Sequence, residues 1–186
     1  MARLPVVTRD QIPEQFREAF DELTAASGGV ITAGPGSITI NSPEMARRRG
    51  HLTSYLRYET TFPKSIQELA IITTARAMDC PYVWNAHAPA ARQAGVSDAV
   101  IDALRERRPL PAMSADEAAV VNYATEFFRT HKVSQQTFQA ALDQFGSQHL
   151  TELTALMGNY AQTAFFLNAF DVQLPAQRTE PLLPVS

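Results

Sequence analysis

Four prolines, Pro13, Pro43, Pro63 and Pro81, each stand just ahead of apolar residues that repeat at intervals of three and four. Proline's fixed φ and missing N–H suit the first turn of an α-helix and disrupt its interior, so these positions read as helix starts. No stretch sustains the period-two alternation of a strand, and no internal repeat is present. The chain is therefore predicted to be all-α, with about seven to eight helices. Its 186 residues suit a single domain over 1–186, since one core grows efficiently to roughly 250 residues.

The first helix opens at Pro13, carries Phe16, Phe20 and Leu23 on one face, and ends at Gly28-Gly29. Residues Gly28 to Thr39 hold four glycines and a proline and read as a loop, a candidate lid. Ser42-Pro43 starts a helix with Met45, Leu52, Tyr55 and Leu56 on its apolar side and Arg47, Arg48 and Arg49 on the other. A third helix runs from Phe62-Pro63 through Leu69, Ile72 and Ala75 to Cys80, where Pro81 restricts its predecessor.

The helix from Pro81 to about Ala94, with a kink expected at Pro89, closes at Gly95; Ser97 caps a short one bearing Val100, Ile101 and Leu104. Ser114 and Glu117 form a capping box before a helix to about Thr130, and Ser134 caps another that Gly146 stops. From His149 to Phe170, apolar side chains occupy nearly every angular position, predicting a helix buried on most sides or packed in a subunit interface. Residues 1–12 and 175–186 read as extended arms.

Hydrophobic residues make up 45% and charged residues 19% of the chain, enough for a sizeable core. The net charge of -3 leaves no broad basic surface, so nucleic acid is not an expected partner. No run approaches the ~18 apolar residues of a membrane span, and the N-terminus lacks a signal-peptide core; a cytoplasmic location is expected. A single cysteine excludes an intramolecular disulfide, a CxxC redox pair and a thiolate zinc site. Dinucleotide, triphosphate, zincin and hydrolase-elbow motifs are missing, so chemistry without metal or cofactor is expected.

The richest segment lies around Cys80. A cysteine at a helix N-cap faces free backbone N–H groups that favour a thiolate, and His87 lies two turns on. The stripe Cys80, Val83, Trp84, His87, Ala91 is equally the pattern of a core-facing surface. Glu68, among Ile66, Leu69, Ile71 and Ile72, reads either as a buried acid with a raised pKa or, with Ser65, as a capping box. Arg57, Tyr58 and Tyr160 are pocket candidates for an anionic substrate; His51, His131 and His149 read as solvated.

The ordered set Glu68-Leu-Ala-Ile-Ile-Thr-Thr-Ala-Arg, Cys80-Pro-Tyr-Val-Trp-Asn-Ala-His87 and Ala90-Ala-Arg-Gln-Ala-Gly95 resembles the carboxymuconolactone decarboxylase and alkylhydroperoxidase (AhpD)-like family. The resemblance implies an AhpD-like helical bundle that assembles as trimers, hexamers or related homo-oligomers, with a site near the Cys80 helix. In the peroxidase branch the motif is a glutamate, Cys-x-x-Cys and a histidine; Glu68, Cys80 and His87 match, and Val83 replaces the attacking cysteine. In the decarboxylase-like branch a glutamate often stands where Val83 is.

These readings combine into an expected cofactor-independent lyase for a small cyclic organic acid such as a lactone carboxylate. His87 would move the proton and Glu68 orient it, while Tyr82 and Trp84 shape the pocket and Arg57 binds the carboxylate. Two alternatives stand beside it: a single-cysteine peroxidase or redox sensor using Cys80, and a non-catalytic oligomeric binding protein.

Overall fold

The computed structural model describes residues 3–185, and every regular element among them is helical. The order is α1 (Arg17–Thr24), α2 (Gly36–Thr39), α3 (Pro43–Ser54), α4 (Lys64–Ala77), α5 (Pro81–Gln93), α6 (Asp98–Arg105), α7 (Ala115–Thr130) and α8 (Gln135–Ala169). The start signals hold. Pro43 and Pro81 are first-turn residues, Pro63 is the N-cap of α4, and Ser97 and Ser134 accept backbone N–H groups from Val100 and Thr137. Glu117 accepts the Ser114 N–H at 3.0 Å, completing the predicted capping box. Pro13 is displaced: it caps a 3₁₀ turn, Glu14–Phe16, and α1 begins only at Arg17.

The fold is organised around α4, whose residues Ile66 to Arg76 are all buried. Helices α5, α6, α7 and α8 pack around it, and one apolar cluster extends from Leu56 through α4–α8 to Leu183. The helix buried on most sides within the chain is thus α4; of the two expectations for 149–170, burial on most sides does not hold, and packing in a subunit interface is left open. There α8 buries Leu153, Leu156, Met157, Tyr160 and Leu167 but leaves Phe165 60% exposed. Its apolar residues cover more angles than its packing uses.

Two further expectations change. The segment 28–39 is no free loop, because its end winds into α2, which buries Ser37, Ile38 and Thr39. Residues 175–185 contain no helix but lie against the body: Leu183 joins the core and the Arg76 Nη1 donates to the Pro184 carbonyl at 2.7 Å. At the other end the Arg3 N–H donates to the Phe170 carbonyl at 2.8 Å, and a 3₁₀ turn occupies Arg9–Gln11. The remainder of the two arms, residues 1, 2 and 186, lies outside the described residues. No described helix is long and apolar enough to cross a membrane.

Gly146 stops one helical rod of α8 and starts the next, with φ 72° and ψ 170°. That region is essentially reserved for glycine, and a side chain held there costs about 1–3 kcal/mol. A Cβ at Gly146 meets nothing within 4 Å, so backbone strain is the whole penalty. Gly146→Ala is expected to lower the unfolding free energy by about 1–3 kcal/mol with unchanged helical circular dichroism; a urea midpoint indistinguishable from the parent's would refute this account.

Candidate functional site

The site begins with a carboxylate that α4 carries into the core. Glu68, one turn into α4, is 0% exposed. Its Oε2 lies 2.7 Å from His87 Nδ1, and its Oε1 lies 3.0 Å from Lys64 Nζ and 3.4 Å from Arg57 Nη2. An ionised carboxylate only accepts, so Nδ1 carries the proton toward Glu68 and Nε2 is left as the basic nitrogen. Of the two sequence readings the buried acid stands. Pro63 starts the helix, and Glu68 makes no capping bond to Ser65.

The expected direction of its pKa is reversed. Burial acts to raise the Glu68 carboxyl, but the hydrogen bond and charge of His87, then Lys64 and Arg57, outweigh it. The carboxyl titrates below its ordinary 4.5 and is a fixed anion at neutral pH.

Arg57 reaches Glu68 because the chain after α3 winds into a π turn, Tyr55–Glu59. Gln67, next to Glu68, donates its amide to the Leu56 and Arg57 carbonyls at 2.9 and 3.1 Å, tying the turn to α4. Arg57 Nη1 donates to the Tyr160 phenol oxygen at 2.5 Å, while its buried Nε has no partner among the described residues. Burial pushes the Tyr160 phenol up to about 12, with Arg57 opposing; it remains a neutral donor. The Tyr160 ring meets His87 edge-on at 4.9 Å.

Beside these groups opens a cavity of about 240 Å³, and His87, Arg57, Tyr82, Val83 and Tyr160 form part of its wall. On α5 the cavity face comprises Tyr82, Val83, Ala86 and His87. Trp84 falls on the opposite, core side and is 1% exposed, which corrects its expected role as a pocket wall. Tyr58 is 74% exposed and stacks over the Arg57 guanidinium at 5.4 Å, away from the cavity.

Cys80 is also absent from the cavity wall. It is 0% exposed, and as N-cap it has extended rather than helical backbone (φ −106°, ψ 92°), so its side chain leaves the face that His87 follows. Burial raises its thiol, with the Val83 and Tyr82 N–H groups opposing only in part. The thiolate expected from the helix terminus is not what this environment favours.

Sequence reasoning missed the opposite wall. Arg49, Thr53, Asn159 and Thr163 line the cavity, joined by Arg49–Thr163 and Thr53–Asn159 hydrogen bonds. Asn159 Nδ2 is buried without a partner. The sequence puts Arg49 on the polar side of its helix, and α8 faces it from more than a hundred residues away in the chain; no local pattern links them. Of the other histidines, His51 and His131 are exposed, and His149 is half-buried, 2.9 Å from the Thr61 hydroxyl.

Glu68's folded pKa lies below its unfolded value, so its stabilising contribution is whole above the unfolded value and fades as pH falls through the depressed folded one. Removing one partner of a buried pair costs about 3–5 kcal/mol. Glu68→Ala is therefore expected to be destabilised by about 3–5 kcal/mol at pH 7, a deficit that holds in urea titrations down to the ordinary carboxyl value of 4.5 and narrows below it. A deficit independent of pH would show that the carboxylate's charge is not what matters.

A model of the carboxymuconolactone decarboxylase family matches residues 43–126, a span that holds Arg49, Arg57, Glu68, Cys80 and His87. None of the curated proteins compared with it matches this chain. Among solved structures it is similar to an uncharacterized peroxidase-related protein from Ralstonia eutropha JMP134 with an alkylhydroperoxidase AhpD core: 17% identity, 94% of this chain and 93% of that one, TM-score 0.69. It is also similar to the debrominase Bmp8 in complex with 2,3,4-tribromopyrrole, at 16% identity over 91% of this chain and 90% of that one, TM-score 0.66. Likeness at such identities establishes the fold. The chain thus carries, across its α3–α7 region, the sequence pattern of the carboxymuconolactone decarboxylase family on an AhpD-like helical fold.

Proposed function

We propose that the cavity beside Glu68 and His87 is the active site of a cofactor-independent lyase acting on a small cyclic organic acid such as a lactone carboxylate. The observation that carries this reading is the 2.7 Å Glu68–His87 pair, with His87 in the wall of a cavity also lined by Arg57 and Asn159, each of which has a buried N–H group without a partner. A buried donor without an acceptor costs about 1–3 kcal/mol, and a substrate carboxylate or lactone carbonyl supplies the acceptors that Arg57 Nε and Asn159 Nδ2 lack. Arg49 adds positive charge, and Tyr160, held neutral, offers its hydroxyl proton.

In the proposed step the C–CO₂ bond of the bound acid breaks and CO₂ leaves. The electron pair passes into the conjugated lactone, and its carbon takes a proton from the His87 Nε2 of a protonated imidazole. Glu68 stays ionised throughout, fixing the ring orientation and balancing the imidazolium until it gives up its proton. His87 regains its proton from water between turnovers. Fold likeness to a debrominase with a small ring compound bound supports a ring-bearing ligand of comparable size. The thiol-peroxidase alternative has a fold likeness of its own, to a peroxidase-related protein, but Cys80 is buried away from the cavity with its thiol raised.

His87→Gln, whose amide can still donate to Glu68, is expected to abolish CO₂ release from carboxy-lactone substrates, a loss of about 10²–10⁴-fold, with the helical circular dichroism of the parent at assay temperature. Cys80→Ala is expected to retain turnover. Undiminished turnover in His87→Gln would refute the proposal, and loss confined to Cys80→Ala would move the chemistry to sulfur.

A further inference from the structure

At the far end of α4 from Glu68, roughly 12 Å along the helix at 1.5 Å per residue, lies a second cavity of about 450 Å³. It is walled by the end of α4, by α6 and the turn after it, and by α7. It shares no residue with the Glu68–His87 cavity. We infer that it binds an organic anion with an apolar body, of the class of a medium-chain carboxylate.

Three observations converge on that ligand. Ala103, Leu104, Leu110 and Phe128 give the cavity an apolar lining, and a volume in the range of roughly 300–1,000 Å³ suits a small-molecule ligand. Arg107, Arg108 and Arg129 also lie at its wall and are exposed; Arg107 is held by Asp79, whereas Arg108 and Arg129 have no carboxylate partner among the described residues.

The third is Arg76, which lines the same cavity and is only 6% exposed. Its Nη1 donates to the Arg105 and Pro184 carbonyls at 3.1 and 2.7 Å, and its Nη2 is paired with Asp79. Its Nε, also buried, has no partner. An acceptor that reaches an N–H in that condition relieves its cost, and a carboxylate accepts from guanidinium groups in charge-assisted, often bidentate pairs. A neutral apolar molecule would leave Arg76 Nε and the two free arginines unanswered. A bare phosphate would leave the apolar lining uncovered.

The test is calorimetric titration of the full chain, at fixed ionic strength, with decanoate, decanol and inorganic phosphate. Decanoate is expected to bind one to one, about tenfold or more tighter than either other probe. Arg108→Ala/Arg129→Ala, a double substitution at exposed positions, should weaken it about tenfold or more. Ala77→Trp, at an exposed wall position, should block it. Arg49→Ala, in the other cavity, should leave decanoate affinity unchanged, which separates this proposal from the acid/base reading. No decanoate binding up to about 1 mM, equal affinity for decanol, or loss in Arg49→Ala with retention in the double variant would each overturn it.

Discussion

The structure depends on the cost of burying one negative charge. An isolated carboxylate in an apolar core would protonate or unfold its surroundings, and Glu68 does neither because three elements bring donors to it. Lys64 comes from its own helix, Arg57 from the π turn and His87 from α5. Each donor must be held at a definite place for the charge to be tolerated. The requirement therefore fixes how the π turn and α5 seat against α4, and the cavity is the space left between them. Electrostatic satisfaction and site construction are here the same event.

Much of the fold was legible because helix ends are encoded locally. Ser97, Ser114 and Ser134 cap where their side chains predict, and Gly95 and Gly146 adopt positive φ where helices stop. What failed to show was burial. Leucine and phenylalanine from 149 to 170 suggest a wrapped helix, yet α8 is half-covered within the chain and α4, with its run Ile71-Ile72-Thr73-Thr74, is the true centre. Periodicity reports which faces are apolar; which helix lies in the middle depends on long-range packing.

The site divides along the same line. Glu68 and His87 stand out through motif spacing, and their contact follows from α4 packing on α5. Cys80 misleads, because helix-face arithmetic does not apply to an N-cap, whose backbone is not yet helical. Trp84 and Val83 adjoin in sequence yet point to core and cavity respectively, a distinction set by about 100° of helix rotation. Arg49 and Asn159 become partners of one cavity only when α3 meets α8, a pairing with no local signature.

The π turn gives chain length a chemical meaning. Its closing hydrogen bond runs from the Thr60 N–H to the Tyr55 carbonyl at 3.3 Å, enclosing one residue more than an α turn. Removing Tyr55 or Leu56, ahead of Arg57, would restore the α register and swing Arg57 by about 100°. Arg57 would then rotate out of the cavity, although every residue of its wall were retained. At this turn a single-residue deletion can strip a guanidinium from the pocket and reset its ligand charge, so descendants of this scaffold can diverge in what they accept through indels alone, leaving their motif residues identical.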